Sequence, residues 1–178
     1  MRPVGQPAPT VEALAAAAAA KLEAGAREEA RALLAEVEQT PGARESIYYS
    51  RQLPGMLRVA LQAGDPALGE RMVQGLERRY PLNEHVHGAA HAQLAEHAGD
   101  HLEAARVYAE AAAGWREFGN VPERAYALLG QGRCLTALGR PEAEVPLREA
   151  RDLFASMGYK PALAETEALR GEAESAAV

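Results

Sequence analysis

Residues 99–112, GDHLEAARVYAEAA, place a helix stop and a helix start side by side and then repeat alanine at short spacings along the new helix. Gly99 suits the left-handed turn that ends a helix, while Asp100 with Glu103 forms a capping box that opens the next. Ala104, Ala105, Ala109, Ala111 and Ala112 then leave much of that helix with methyl groups only. A face so small lets a second helix lie very close to it, toward the lower end of the usual 8–10 Å interaxial range.

Composition agrees with a chain made of helices. Of its 178 residues 48% are hydrophobic, yet only 5% are aromatic, and alanine supplies much of the remainder. Alanine has the highest helix propensity, and the β-branched residues that build sheets are scarce. The formal net charge is -6. That balance argues against nucleic acid as a partner, because affinity for phosphates comes from lysine and arginine displacing counterions.

The single cysteine, Cys134, excludes an internal disulfide and reads as a small buried hydrophobe rather than a nucleophile. The stretch VEALAAAAAAKLEAG, residues 11–25, carries Glu12 at its start and is too weakly apolar for a secretory core. No run approaches the length of a membrane span. A cytoplasmic location without membrane attachment is therefore the expectation.

The helix stop and start recur. Comparable turns begin at Gly25, Gly64, Gly99 and Gly139, at spacings of 39, 35 and 40 residues. Asp65-Pro66 opens one of the following helices and Pro141 lies near the first turn of another. Helices are expected near 11–24, 26–39, 44–63, 66–79, 84–98, 101–118, 122–138, 141–157 and 161–172. A Pro-rich arm over 1–10, a helical repeat domain over 11–172 and a flexible tail over 173–178 complete the reading. Pro54 with Gly55 should kink the third helix, and Pro146 should give the eighth an irregular start.

Gly99, Ala104, Tyr108 and Ala111 follow the turn-glycine, small, large, small pattern of the second helix of a tetratricopeptide repeat, and the chain resembles that family. With one residue deleted, Gly139, Ala143, Leu147 and Ala150 repeat the pattern. Gly25, Ala30 and Leu34 are followed by Val37, and Gly64, Gly69 and Val73 by Leu76, so the first two units depart from it at the second small position. The family's closing proline falls on Pro81 and nearly on Pro41. The segment EFGNVPERAYALLGQGRCLTALGRPEAE, with the later REARDLFASMG, is also similar to the helical tails of large bacterial signalling proteins that carry a cyclase, an ATPase or a helix-turn-helix elsewhere. The likeness covers roughly residues 45–170.

This resemblance implies an all-α fold, a right-handed α-solenoid of about four helix pairs plus a C-terminal capping helix, and a non-enzymatic scaffold for protein–protein interaction. No cofactor is implied, and neither a phosphate-binding loop nor more than the weak Gly130-x-Gly132 pair is present. Tyr108, Trp115, Phe118, Leu128, Leu135, Leu147 and Phe154 are the expected large anchors, with Trp115 packing against the following helix. In this repeat class the first helix of each pair lines the concave groove, and the equivalent inner positions are Ala19, Arg58, Gln93 and Arg133, with Arg51 and Tyr126 on the same faces. Arginines there suit an acidic peptide or domain surface. The competing reading is that they bridge to glutamates on neighbouring helices. The family's lysine-asparagine clamp for terminal carboxylates is not reproduced.

All five histidines lie between His85 and His101. Glu84, His87 and His91 have a spacing that could ligate zinc, although the H-E-x-x-H pattern is missing. A metal- or pH-sensing protein is thus one alternative to the scaffold, and a self-associating structural repeat is the other.

Overall fold

The computed structural model describes residues 10–77 and 80–176, and the side chains of that range as far as Glu172. The expected Pro-rich arm, apart from Thr10, and residues 177–178 of the expected tail lie outside the described residues. Among the described residues the chain is all-helical, with nine α-helices and one 3-10 turn. No helix among them is long and apolar enough to cross a membrane.

The chain divides into two compact units, Met1–Glu77 and Arg78–Val178. The first holds α1 (Val11–Glu23), α2 (Arg27–Gln39), α3 (Ile47–Gln62) and α4 (Pro66–Val73). Consecutive helices pack on one another, and α1 also packs on α3. Leu34, Val37, Leu53, Leu57, Leu68 and Met72 are fully or almost fully buried in this unit. The Tyr49 hydroxyl donates to the Met72 carbonyl at 2.8 Å, and Arg44 donates to the carbonyls of Arg71 and Gln74 at 2.7 Å each. Those two carbonyls belong to the end of α4, where backbone acceptors run out of helical partners.

The second unit holds α5 (Pro81–His97), α6 (His101–Phe118), α7 (Val121–Ala137), a 3-10 turn (Pro141–Ala143), α8 (Glu144–Met157) and α9 (Lys160–Ala176). Each helix packs on its sequence neighbours, and the alternate pairs α5–α7 and α7–α9 are also in contact. Trp115, Leu129, Leu147 and Phe154 form the best-buried part of its core.

Local signals account for most boundaries. The side chains of Asp65 and Asp100 accept from the backbone N–H of Leu68 and Glu103, at 2.9 and 3.2 Å. Gly99 turns at φ +82°, and the other three repeat glycines share this left-handed conformation, which costs a glycine little. The 3-10 turn ahead of α8 supplies the irregular start expected from Pro146. Pro54 sits inside α3 and does not end it, though the Ser50 carbonyl receives no backbone bond from it.

Several boundaries differ from expectation. Helix α9 continues to Ala176, so residues 173–176 are helical where a flexible tail was expected from 173. Helix α4 stops at Val73 instead of continuing to 79, because Gln74 is extended and Gly75 adopts φ +79°. The end of that expected helix, 78–79, lies outside the described residues. Helix α5 begins at Pro81, where the ring fixes a first-turn φ, rather than at 84. Helix α3 begins at Ile47, where the Ser46 hydroxyl accepts from the Tyr48 N–H at 3.2 Å, rather than at 44.

Close approach between helices is concrete in the second unit. Ala104 is wholly buried and Ala111 is 6% exposed. A methyl placed on Gly130 of α7 would lie 2.6 Å from Cε1 of Tyr108 on α6, and one on Gly132 would lie 2.5 Å from Cγ of Leu147 on α8. The Gly130-x-Gly132 pair is therefore a double notch, one glycine for each flanking helix. Tyr108 is pressed into the first notch and Leu147 into the second.

Candidate functional site

Of the residues expected on an inner face, Arg133 has the best-defined surroundings. Helix α7, which carries it, packs on α5, α6 and α9. The Arg133 Nε donates to Glu96 Oε1 at 2.7 Å and its Nη2 to Glu96 Oε2 at 2.9 Å, a two-pronged pairing of guanidinium and carboxylate. Its Nη1 donates to Glu165 Oε1 at 2.8 Å. The Tyr108 hydroxyl donates to Glu96 Oε2 at 2.6 Å. One arginine thus joins α5, α7 and α9, and the tyrosine adds α6.

The charges in this cluster hold one another. Burial works against ionisation of Glu96, but hydrogen bonds and charge from Arg133, together with the Tyr108 hydrogen bond, outweigh it and keep the carboxyl below its ordinary value. Burial also works against the Arg133 cation, and Glu96 overcomes it, so the guanidinium is held charged. The Tyr108 hydroxyl is pushed up by burial first and then by the Glu96 charge. The same two causes push the neighbouring Cys134 thiol up to about 12. Cys134 is fully buried, so at neutral pH it is a protonated, enclosed thiol rather than a nucleophile.

The other residues expected on an inner face are distributed between the two units. In the first unit Arg51 is exposed on α3, and Arg58, two turns later on the same helix, is half-buried with its guanidinium over Gly55. Ala19 is half-buried on α1. In the second unit Gln93 is 5% exposed, inside the packing of α5 rather than on an open face. Tyr126 is half-buried on α7, with its ring 5.0 Å from Phe154 of α8 in an edge-on arrangement. Tyr126 and Gln93 are thus elements of helix packing, and Arg133 has the bridging geometry described above.

The histidines occupy varied settings. Glu84 and His91 are exposed and His87 is half-buried. Among the described residues, no group of three or more His, Cys, Asp and Glu side chains is placed to hold a metal ion. His85 is packed instead against Trp115 and Phe118, with ring centroids 5.3 and 5.1 Å away. Trp115 thus leans on the preceding helix α5, beside the Gly114 notch that admits the His85 ring. Phe118, expected as a core anchor, is 45% exposed because it ends α6.

Glu96 and Glu165 were the members of the Arg133 cluster that motif reading passed over. Gln93 stands at the position expected to match Arg133, and Glu96 lies three residues beyond it, about one helical turn along α5. That offset was a usable signal. Glu165 had none.

Comparison of the chain with protein-family models, with curated proteins and with solved structures returns no match.

Proposed function

We propose that the chain is a non-enzymatic protein-interaction module built of tetratricopeptide-like helix pairs in a right-handed solenoid, with α9 as its capping helix. The regulatory tail of a signalling protein, or its stand-alone relative, is the role that the sequence resemblance favours. The observation that carries this reading is the packing order. Within each unit a helix touches its sequence neighbours, and alternate helices touch too: α1 with α3, α5 with α7, and α7 with α9. Contacts of that order arise when helix hairpins stack so that their first helices form one layer.

A protein partner with an acidic segment suits the first unit best. Arg51 and Arg58 are seven residues apart, two turns of α3, and so share a face of that helix. Charge-assisted hydrogen bonds from guanidinium to carboxylate would give such a segment both affinity and register.

The test is affinity capture from the source cells with the full chain and with an Arg51→Glu, Arg58→Glu variant. The partner retained by the parent should be lost by the variant while far-UV circular dichroism stays the same. Undiminished capture by the variant contradicts the assigned face.

A further inference from the structure

Helix α9 is attached differently from every other helix of its unit. Among its described side chains only Ala162 and Thr166 are buried, and the Thr166 hydroxyl donates back to the Ala162 carbonyl at 2.6 Å. Leu163 and Leu169 are half-buried. Three charge pairs add to these contacts. Glu165 accepts from Arg133 of α7 at 2.8 Å, Glu167 lies 4.0 Å from Arg151 of α8, and Arg170 donates to Glu144 of α8 at 2.7 Å. All three pairs keep part of their side-chain surface in solvent, Glu165 and Glu167 at 43% and 56%.

Each of the three partners on α7 and α8 has a second source of compensation that does not depend on α9. Arg133 is held by both oxygens of Glu96. Arg151 donates to Asp152 at 2.6 Å. Glu144 is the first residue of α8, where the helix dipole favours a carboxylate, and it feels the Arg148 charge. Withdrawal of α9 therefore strands no buried charge, which is the outcome that usually makes breaking an ion pair costly.

We propose that α9 is a releasable ion-pair latch, and that the α7–α8 face beneath it docks a partner helix carrying the same charge order: two acidic residues two apart, then a basic residue three further on. Small residues in that helix would take the places of Ala162 and Thr166, and its acids would meet Arg133 and Arg151. Charge complementarity with α9 itself defines the fit. The inference rests on the interaction-module reading only for the partner being a protein. It uses none of the α3 arginines, so the two ideas fail separately.

Hydrogen exchange on the full chain tests the latch, and a fluorescein-labelled peptide of residues 159–176 serves as the probe for the face. Raising NaCl from about 10 mM to about 1 M shortens the screening length from about 30 to about 3 Å and should speed exchange of α9 amides about tenfold, with α6 and α7 unchanged. A Glu165→Arg, Glu167→Arg variant should show fast α9 exchange even at low salt and should bind the peptide about tenfold more tightly than the parent, with binding lost at high salt. Exchange of α9 that ignores both salt and charge reversal overturns the latch. So does loss of α6 and α7 protection together with α9, because α9 would then belong to the core. A released α9 with no peptide binding overturns the docking face, and dimerisation by exchange of α9 between copies would replace the partner with a second chain.

Discussion

The contact between α6 and α7 and the docking of α9 are two ways of holding a helix in one unit. The first works by shape. Tyr108 fills the notch at Gly130, Ala104 and Ala111 are buried, and no charge is needed until the Tyr108 hydroxyl reaches Glu96. The second adds three partly exposed ion pairs to two buried small residues and the half-buried Leu163 and Leu169. Close packing fails sharply when a methyl is added, whereas exposed pairs respond to salt and pH and contribute little each.

The largest effect should come from the shape-determined contact. Ala104→Leu forces extra methyl groups into a site with no exposed surface and should cost about 1–3 kcal/mol, read as a lower urea midpoint. A midpoint equal to the parent's would show that α6 is not closely packed at that position.

A somewhat smaller effect is expected where shape and charge meet. Glu96→Gln should cost about 1–2 kcal/mol at pH 7 through weaker bonds to Arg133 and Tyr108. The folded-state carboxyl titrates below its ordinary value of 4.5, so its contribution is present above that pH and is lost as pH falls through the lower folded value. The parent's stability should therefore fall more steeply than the variant's below about pH 4.5, and parallel pH curves would contradict the pairing.

The smallest effect belongs to the half-buried His87 and the exposed His91. A His87→Ala, His91→Ala variant should keep its thermal midpoint within the equivalent of about 0.5 kcal/mol. Metal analysis of the purified parent should find no stoichiometric zinc, and one equivalent of zinc that disappears in the variant would favour the metal-sensing alternative over the scaffold.

Helix positions were legible because their signals are local. Asp65 and Asp100 cap the helices that follow them, and the turn glycines adopt the backbone that their placement demanded. The early end of α4 was legible too, at Gly75, but the reading ran through that glycine. The Gly130-x-Gly132 pair was set aside as a weak phosphate pattern. Its use became visible only when Tyr108 and Leu147 were seen filling the two notches. The surroundings of Arg133 were the hardest to foresee. Glu96 and Glu165 stand 37 and 32 residues away in sequence, so the choice between a free cation and a bridge depended on helix packing, with the three-residue offset of Glu96 from Gln93 as its one sequence signal.

The same chemical change at two glycines tests most directly the claim that helix proximity sets this fold. Gly88 lies inside α5 with nothing within 4 Å of the place a methyl would occupy, so Gly88→Ala should stabilise the chain by about 0.5–1 kcal/mol through helix propensity alone. Gly130→Ala gains the same propensity but drives its methyl into the buried Tyr108 ring, for a net loss of about 1–2 kcal/mol. Urea midpoints that move in opposite directions are the predicted result. Two midpoints that both rise would contradict the close approach of α6 and α7.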